Sequence, residues 1–191
     1  MTILVTGAAG FIGFHTAQAL LDRGEDVLGI DNLNAYYSPA LKLARLDLLL
    51  SRPGFRFQRL DIAQQTDVAA LGVANSGITD IVHLAAQAGV RHSLIAPFDY
   101  VTSNVVGHLA ILELARALPR LRHLVYASSS SVYGNNQTLP FAESDRVDTP
   151  LSLYAATKRA DELMSHAYAH LYRIPQTGLR FFHGLWTVGP A

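Results

Sequence analysis

The sequence predicts an α/β fold in which a doubly wound parallel sheet lies between two helical layers. Three observations predict it. Short β-rich apolar runs alternate with longer helical patterns along the whole chain. The strands are nearly continuous in apolar residues, as strands covered on both faces are. A glycine-rich turn joins the first strand to the first helix. Right-handed crossovers then wind the sheet in both directions and open a crevice at the carboxyl ends of its strands.

The elements follow in order. The first strand, Ile3–Thr6, runs into Thr6-Gly7-Ala8-Ala9-Gly10-Phe11-Ile12-Gly13 and an amphipathic helix over Phe11–Arg23. Gly7 suits a tight turn, Gly10 a close approach of backbone to a pyrophosphate, and Gly13 close packing of helix on strand. The helix start offers free N–H groups and a positive dipole end to phosphate. The second strand, Asp26–Ile30, closes on Asp31, where a ribose-binding carboxylate belongs. Together these features predict a Rossmann-type dinucleotide site. A carboxylate repels a 2′-phosphate and no arginine follows Asp31 directly, so NAD is expected rather than NADP.

A helix over Pro39–Leu50 precedes a strand at Phe55–Leu60, and Asp61 then either bonds the adenine side of a cofactor or caps the helix Asp67–Ala74. The strand Ile81–Leu84 ends in Ala85-Ala86-Gln87, small residues past which a flat cofactor can slide. A long helix, Pro97–Ala117, leads to the strand His123–Ala127 and the run Ser128-Ser129-Ser130-Ser131. Hydroxyls at a strand end can donate to a substrate oxygen and accept from it, although such a run also fits a turn making local backbone bonds. The last helix, Leu153–Tyr172, carries Tyr154 and Lys158 at i, i+4 on one face, and the strand Thr177–Phe182 follows. A phenol ionises near pH 10 and is a weak base at neutrality. A neighbouring ammonium favours its phenolate, which is why a hydride-transfer site would pair the two. The chain has only two lysines, Lys42 and Lys158, among fifteen basic side chains.

Composition narrows the function classes. Fifteen basic and fifteen acidic residues cancel, so nothing points to nucleic acid or an anionic membrane as partner. The absence of cysteine excludes disulfides and thiolate metal sites. His166 and His170 stand at i, i+4 without a third ligand, and no metal is expected. The opening MTILVTG lacks a basic leader, and no apolar stretch reaches the roughly 18 residues of a membrane span, so a cytoplasmic protein is the default expectation.

As a set, T-G-x-x-G-x-x-G, Asp31, A-S-S-S-x-V-Y-G and Y-x-x-x-K resemble the extended short-chain dehydrogenase/reductase family over essentially the whole chain to Phe182. Within it, Asp31 to Tyr37, Leu41-Lys42, Ala44 to Leu46 and Ala85 to Arg91 resemble UDP-glucuronate 4-epimerases. The resemblance implies cofactor contacts from Gly7, Gly10, Phe11, Ile12, Gly13, Asp31, Asn32, Asn34, Asp61, Ile62, Leu84, Ala85, Ala86, Gln87 and Asn104. It implies Tyr154 as the proton-transferring base, Lys158 as the residue that holds the nicotinamide ribose and tunes Tyr154, and Ser129, Ser130 and Ser131 against the sugar hydroxyl. Arg91 would meet the sugar carboxylate or a phosphate. The implied reaction on a UDP-sugar is transient C4 oxidation, rotation of the 4-keto sugar and return of hydride to the other face, with NAD regenerated. Ser130-Ser131 stand where a 4,6-dehydratase of the family carries an acidic pair, which argues against dehydration. A UDP-glucose/galactose 4-epimerase shares the same core, and a non-catalytic NAD-binding module is the alternative of another class. A homodimer through the helices Pro97–Ala117 and Leu153–Tyr172 is also implied.

The resemblance breaks after Phe182. His183 stands where the family has Thr, and Thr187-Val188-Gly189-Pro190 reads as a displaced remnant of T-V-Y-G-P. The expected organisation is an NAD-binding domain over 1–182 and a divergent tail over 183–191 in place of a substrate lobe. NAD binding without efficient sugar turnover is expected, with apolar surface left open near the strand ends as an association patch.

Overall fold

A computed structural model describes residues 1–36 and 38–182. Tyr37 and the tail with His183 and Thr187 to Pro190 lie outside the described residues. The elements run β1 (Thr2–Thr6), α1 (Phe11–Asp22), β2 (Asp26–Asp31), α2 (Pro39–Leu50), β3 (Phe55–Arg59), α3 (Gln65–Ala74) and β4 (Ile78–His83). They continue with α4 (Pro97–Tyr100), α5 (Gly107–Ala117), β5 (His123–Ser129), α6 (Leu153–Tyr172) and β6 (Gln176–Phe181). The strands form one sheet in the order β3-β2-β1-β4-β5-β6, with every pairing parallel. This is the doubly wound topology expected of the sequence, and the chain reverses its direction of growth between β1 and β4.

Strand alternation builds both faces. Ile3 and Val5 of β1 join Val27 with Phe14, Ala17 and Leu21 of α1 and Leu46 and Leu49 of α2. Leu4 joins Leu28, Ile30 and Ile81 with Val68 and Leu71 of α3 and Ile111, Leu112 and Leu114 of α5. Each central strand therefore packs on both sides, which is why its sequence reads as an unbroken apolar run.

Most boundaries fall within one or two residues of expectation, and three differences have a structural cause. β4 begins at Ile78 rather than Ile81, because Ile78 is fully buried and pairs with Thr2. β5 extends to Ser129, because its serines continue the ladder with Arg180 and Phe181 of β6. The helix expected over Pro97–Ala117 is interrupted by a wide π-type turn over Val101–Val106. A one-residue slip in the helical ladder leaves no proline or glycine signature, so apolar periodicity runs through it. The turn carries Asn104, which is 1 % exposed.

Candidate active site

A cleft of about 720 Å³ opens at the carboxyl ends of the central strands. Its floor is the β1–α1 turn. Gly7 has φ +70°, and a Cβ there would stand 2.9 Å from the Ala85 nitrogen. A Cβ on Gly13 would stand 2.0 Å from the Gly7 oxygen, and one on Gly10 3.0 Å from the same atom. Gly7 and Gly13 hold the start of α1 against the strand ends at a distance no side chain permits, and Gly10 leaves only a tight fit, so the backbone of the turn forms the cleft floor. Thr6 Oγ1 accepts from the backbone nitrogens of Leu84 and Ala85 at 3.0 and 2.9 Å, tying the ends of β1 and β4 together. With both acceptor positions used, its proton goes to His83 Nδ1 at 2.8 Å, which assigns the Nε2–H tautomer to His83.

At one end of the cleft the buried Asp31 carboxylate is fixed from two sides. Oδ2 accepts from Ala9 N at 3.2 Å, and Oδ1 accepts from Leu33 N at 2.8 Å. Leu33 has φ +57°, a strained conformation for a leucine. Asn32 donates to Asp61 Oδ2 at 3.0 Å, and Lys42 donates to Asn34 Oδ1 at 2.9 Å.

At the other end stand Tyr154 and Lys158. Ser152 caps α6 by accepting from Ala155 N at 3.1 Å, which starts the helix so that Tyr154 lies in its first turn. The Tyr154 ring rests edge-on against Tyr100, with centroids 6.1 Å apart. Lys158 Nζ donates to Ala127 O and to Asp161 Oδ2, both at 3.1 Å. Two of its three N–H groups are thereby held by protein atoms, and the third is left for a ligand. Beneath Lys158, His83 and His108 stack with centroids 5.3 Å apart, and His108 Nε2 lies 2.8 Å from Ser165 Oγ.

The cleft brings together Gly7, Gly10 to Gly13, Asp31, Asn32, Asn34, Asp61, Ile62, Leu84 to Gln87, Ser129, Tyr154 and Lys158. Four of the expected site residues stand outside its lining. Asn104 is buried behind it, accepting from Gln87 N at 2.8 Å and donating to Gln87 O at 3.1 Å and Thr157 Oγ1 at 3.0 Å. Ser130 and Ser131 turn away in a short 3₁₀ turn, where Ser131 holds Ser129 Oγ through its own hydroxyl and backbone nitrogen. Arg91 is exposed at the start of another 3₁₀ turn. The cleft also takes in Ser128, Lys42 and Arg45, which have no expected role in the sequence. Ser128 donates to Glu162 Oε1 at 2.7 Å, and Glu162 is gripped in turn by Arg180 and Arg159. Lys42 had two signals, its rarity and its place in the Leu41-Lys42 segment that carries the resemblance, and Asp161 had its i, i+3 spacing from Lys158.

The family model for the NAD dependent epimerase/dehydratase family matches residues 3–185. The chain belongs to that family. A probable UDP-glucuronate 4-epimerase of Rhizobium meliloti is 50% identical over 190 residues, covering 97% of this chain and 54% of that protein. UDP-glucuronate 4-epimerase 1 of Arabidopsis thaliana is 48% identical over 194 residues, covering 97% of this chain and 43% of that protein. Among solved structures, UDP-glucuronic acid 4-epimerase from Bacillus cereus in complex with UDP-glucuronic acid and NAD superposes with a TM-score of 0.86 at 38% identity. It covers 95% of this chain and 56% of that one. The chain therefore spans about half the length of the relatives it matches. Among the described residues, no helix is long and apolar enough to cross a membrane.

Proposed function

We propose that this chain is the NAD-binding, proton-transferring half of a UDP-glucuronate 4-epimerase. The observation that carries the proposal is Tyr154 and Lys158 facing Ser129 across one cleft whose floor is cleared by Gly7, Gly10 and Gly13. The fit to a dinucleotide rests on that floor and on the fixed, buried Asp31 carboxylate at the far end. The Bacillus cereus relative, solved with UDP-glucuronic acid and NAD, supports the choice of sugar.

NAD, when bound, supplies a hydride acceptor and donor for the sugar C4. The residues do the rest. Tyr154 takes the C4 hydroxyl proton and later returns it. Lys158, held by Ala127 and Asp161, keeps a positive charge beside the phenol and offers its third N–H to the nicotinamide ribose. Ser129 positions the sugar oxygen, and its own hydroxyl is aligned by Ser131. A homodimer through α4, α5 and α6, and a cytoplasmic location, belong to the same proposal.

The test is incubation with UDP-glucuronate and NAD, with products separated chromatographically and NAD binding followed by calorimetry. UDP-galacturonate formed by the wild type and lost in Tyr154→Phe would support the proposal. NAD binding with weak or no product is the outcome expected of a chain that spans about half of its relatives, and would leave it as their dinucleotide-binding half; absence of NAD binding would overturn this reading and the non-catalytic dinucleotide-binding one alike.

A further inference from the structure

We infer that Asp161 is a positioning residue that balances the charge of Lys158, and so sets how the cleft divides its affinity between the oxidised and reduced forms of a nicotinamide dinucleotide. The inference rests on the dinucleotide reading above. Asp161 does not line the cleft, whereas Lys158 does. It is wholly buried behind it, with Oδ2 3.1 Å from Lys158 Nζ. Its Oδ1 has no hydrogen-bond partner among the described residues, so Lys158 is the group that answers its charge. A buried carboxylate is costly unless paired, and here its pair is a cleft-lining ammonium.

The titratable groups packed around the pair leave that balance in place. His83 of β4 and His108 of α5 lie beneath Lys158, and burial lowers both, so each ring is neutral at pH 8. Tyr126 of β5, raised by burial, stays a neutral phenol there. Glu162, the next residue of α6, is answered by Arg159 and Arg180. The Asp161 carboxyl, pushed up to about 6 by burial, is ionised at pH 8, and the pair as a whole is neutral. When the C4–H bond of the sugar breaks, its electron pair moves as hydride to the nicotinamide, and the hydroxyl proton goes to Tyr154. The ring thereby passes from cationic to neutral. A bare ammonium beside it favours the neutral, reduced ring, and a compensated one favours neither form strongly. A reaction that must hand the hydride back gains from that balance.

The experiment is calorimetric titration at pH 8 with NAD and NADH, two ligands that differ only in the nicotinamide ring and its charge. It compares the wild type with Asp161→Asn and with the double variant Lys158→Met/Asp161→Asn. At an effective dielectric of about 20, a unit charge roughly 10 Å away changes binding on the order of tenfold. Asp161→Asn should therefore lower the ratio of the NADH to the NAD dissociation constant about tenfold, a rise of about 30 mV in the potential of the bound couple. The double variant loses its ribose contact with both ligands alike, and its ratio should stay near the wild-type value. It keeps the test alive if Asp161→Asn does not fold, because replacing both members of a buried ion pair is tolerated better than removing one. Both constants weakened by the same factor in Asp161→Asn would make Asp161 purely structural and overturn the inference, as would a shifted ratio in the double variant. A wild type that binds neither ligand would overturn the dinucleotide reading on which it rests.

Discussion

Asp161 Oδ2 lies 3.1 Å from Lys158 Nζ, less than one turn further along α6, and both side chains are almost wholly buried. The second Asp161 oxygen has no hydrogen-bond partner, so the carboxylate is committed to the lysine. Removing one member of a buried ion pair leaves the other charge uncompensated, at a cost of about 3–5 kcal/mol. Asp161→Ala should therefore lower unfolding free energy by about that amount, and Asp161→Asn, which keeps an acceptor, by less. Urea denaturation at pH 7 measures both; equal losses would mean that the acceptor kept by Asn is unimportant there, and a loss in Asp161→Ala well below about 3 kcal/mol would mean that charge compensation is.

The same region makes stability depend on pH. Burial, with the Lys158 charge, pulls His108 from its usual 6.5 down to about 3, and burial lowers His83 as well. Asp161 moves the other way, since burial outweighs the pull of Lys158 and pushes its carboxyl from 3.8 up to about 6. The histidine contributions are complete above the unfolded value of 6.5 and are lost as pH falls; that of Asp161 is complete below 3.8 and is lost as pH rises through 6. Two histidines against one carboxylate leave a net loss on acidification, up to about 1.4 kcal/mol per pH unit for each net proton. Asp161→Asn removes the opposing group, so its urea midpoint should fall more steeply than the wild type's between pH 6 and pH 4. Parallel profiles would show that Asp161 does not titrate in that window.

Asn104 ties the strand end before α4 to helix α6 from inside the widened turn. Asn104→Ala strands the Gln87 N–H and C=O in a buried place, which should cost about 2–3 kcal/mol. Thermal unfolding measures it, and a change below half a kilocalorie would mean that other groups or water take over those bonds.

Tyr154→Phe deletes the hydroxyl proposed to carry the proton and keeps the ring packed against Tyr100. Under the proposed function, whatever turnover of UDP-glucuronate the chain shows should fall about 10²–10⁴-fold while NAD binding persists. Loss of NAD binding together with turnover would make Tyr154 a binding residue.

Much of this was legible in the sequence for physical reasons. The glycine spacing could be read because Gly7 and Gly13 satisfy a steric condition that no other residue meets and Gly10 nearly does. The strands could be read because burial on both faces demands apolar residues at successive positions. The π-type turn was not legible, because a slipped helical bond changes no residue's propensity. Nor were the partners of Asp31 and Lys158. Asp31 meets Lys42 across a loop whose shape depends on the left-handed Leu33, and periodicity says nothing of such a contact. The division of labour among the serines depends on where β5 ends: Ser128 and Ser129 belong to the strand, while Ser130 and Ser131 begin the turn.

Both lysines of the chain are buried in the cleft, Lys42 beside Asp31 and Lys158 beside Asp161. The outer surface takes its positive charge from arginine, so amine chemistry on the folded protein is confined to the N-terminus and this one place. A lysine-specific protease should leave the native chain intact and cut it only when α2 or α6 opens, so its cleavage rate under native conditions would count the openings of the cleft itself.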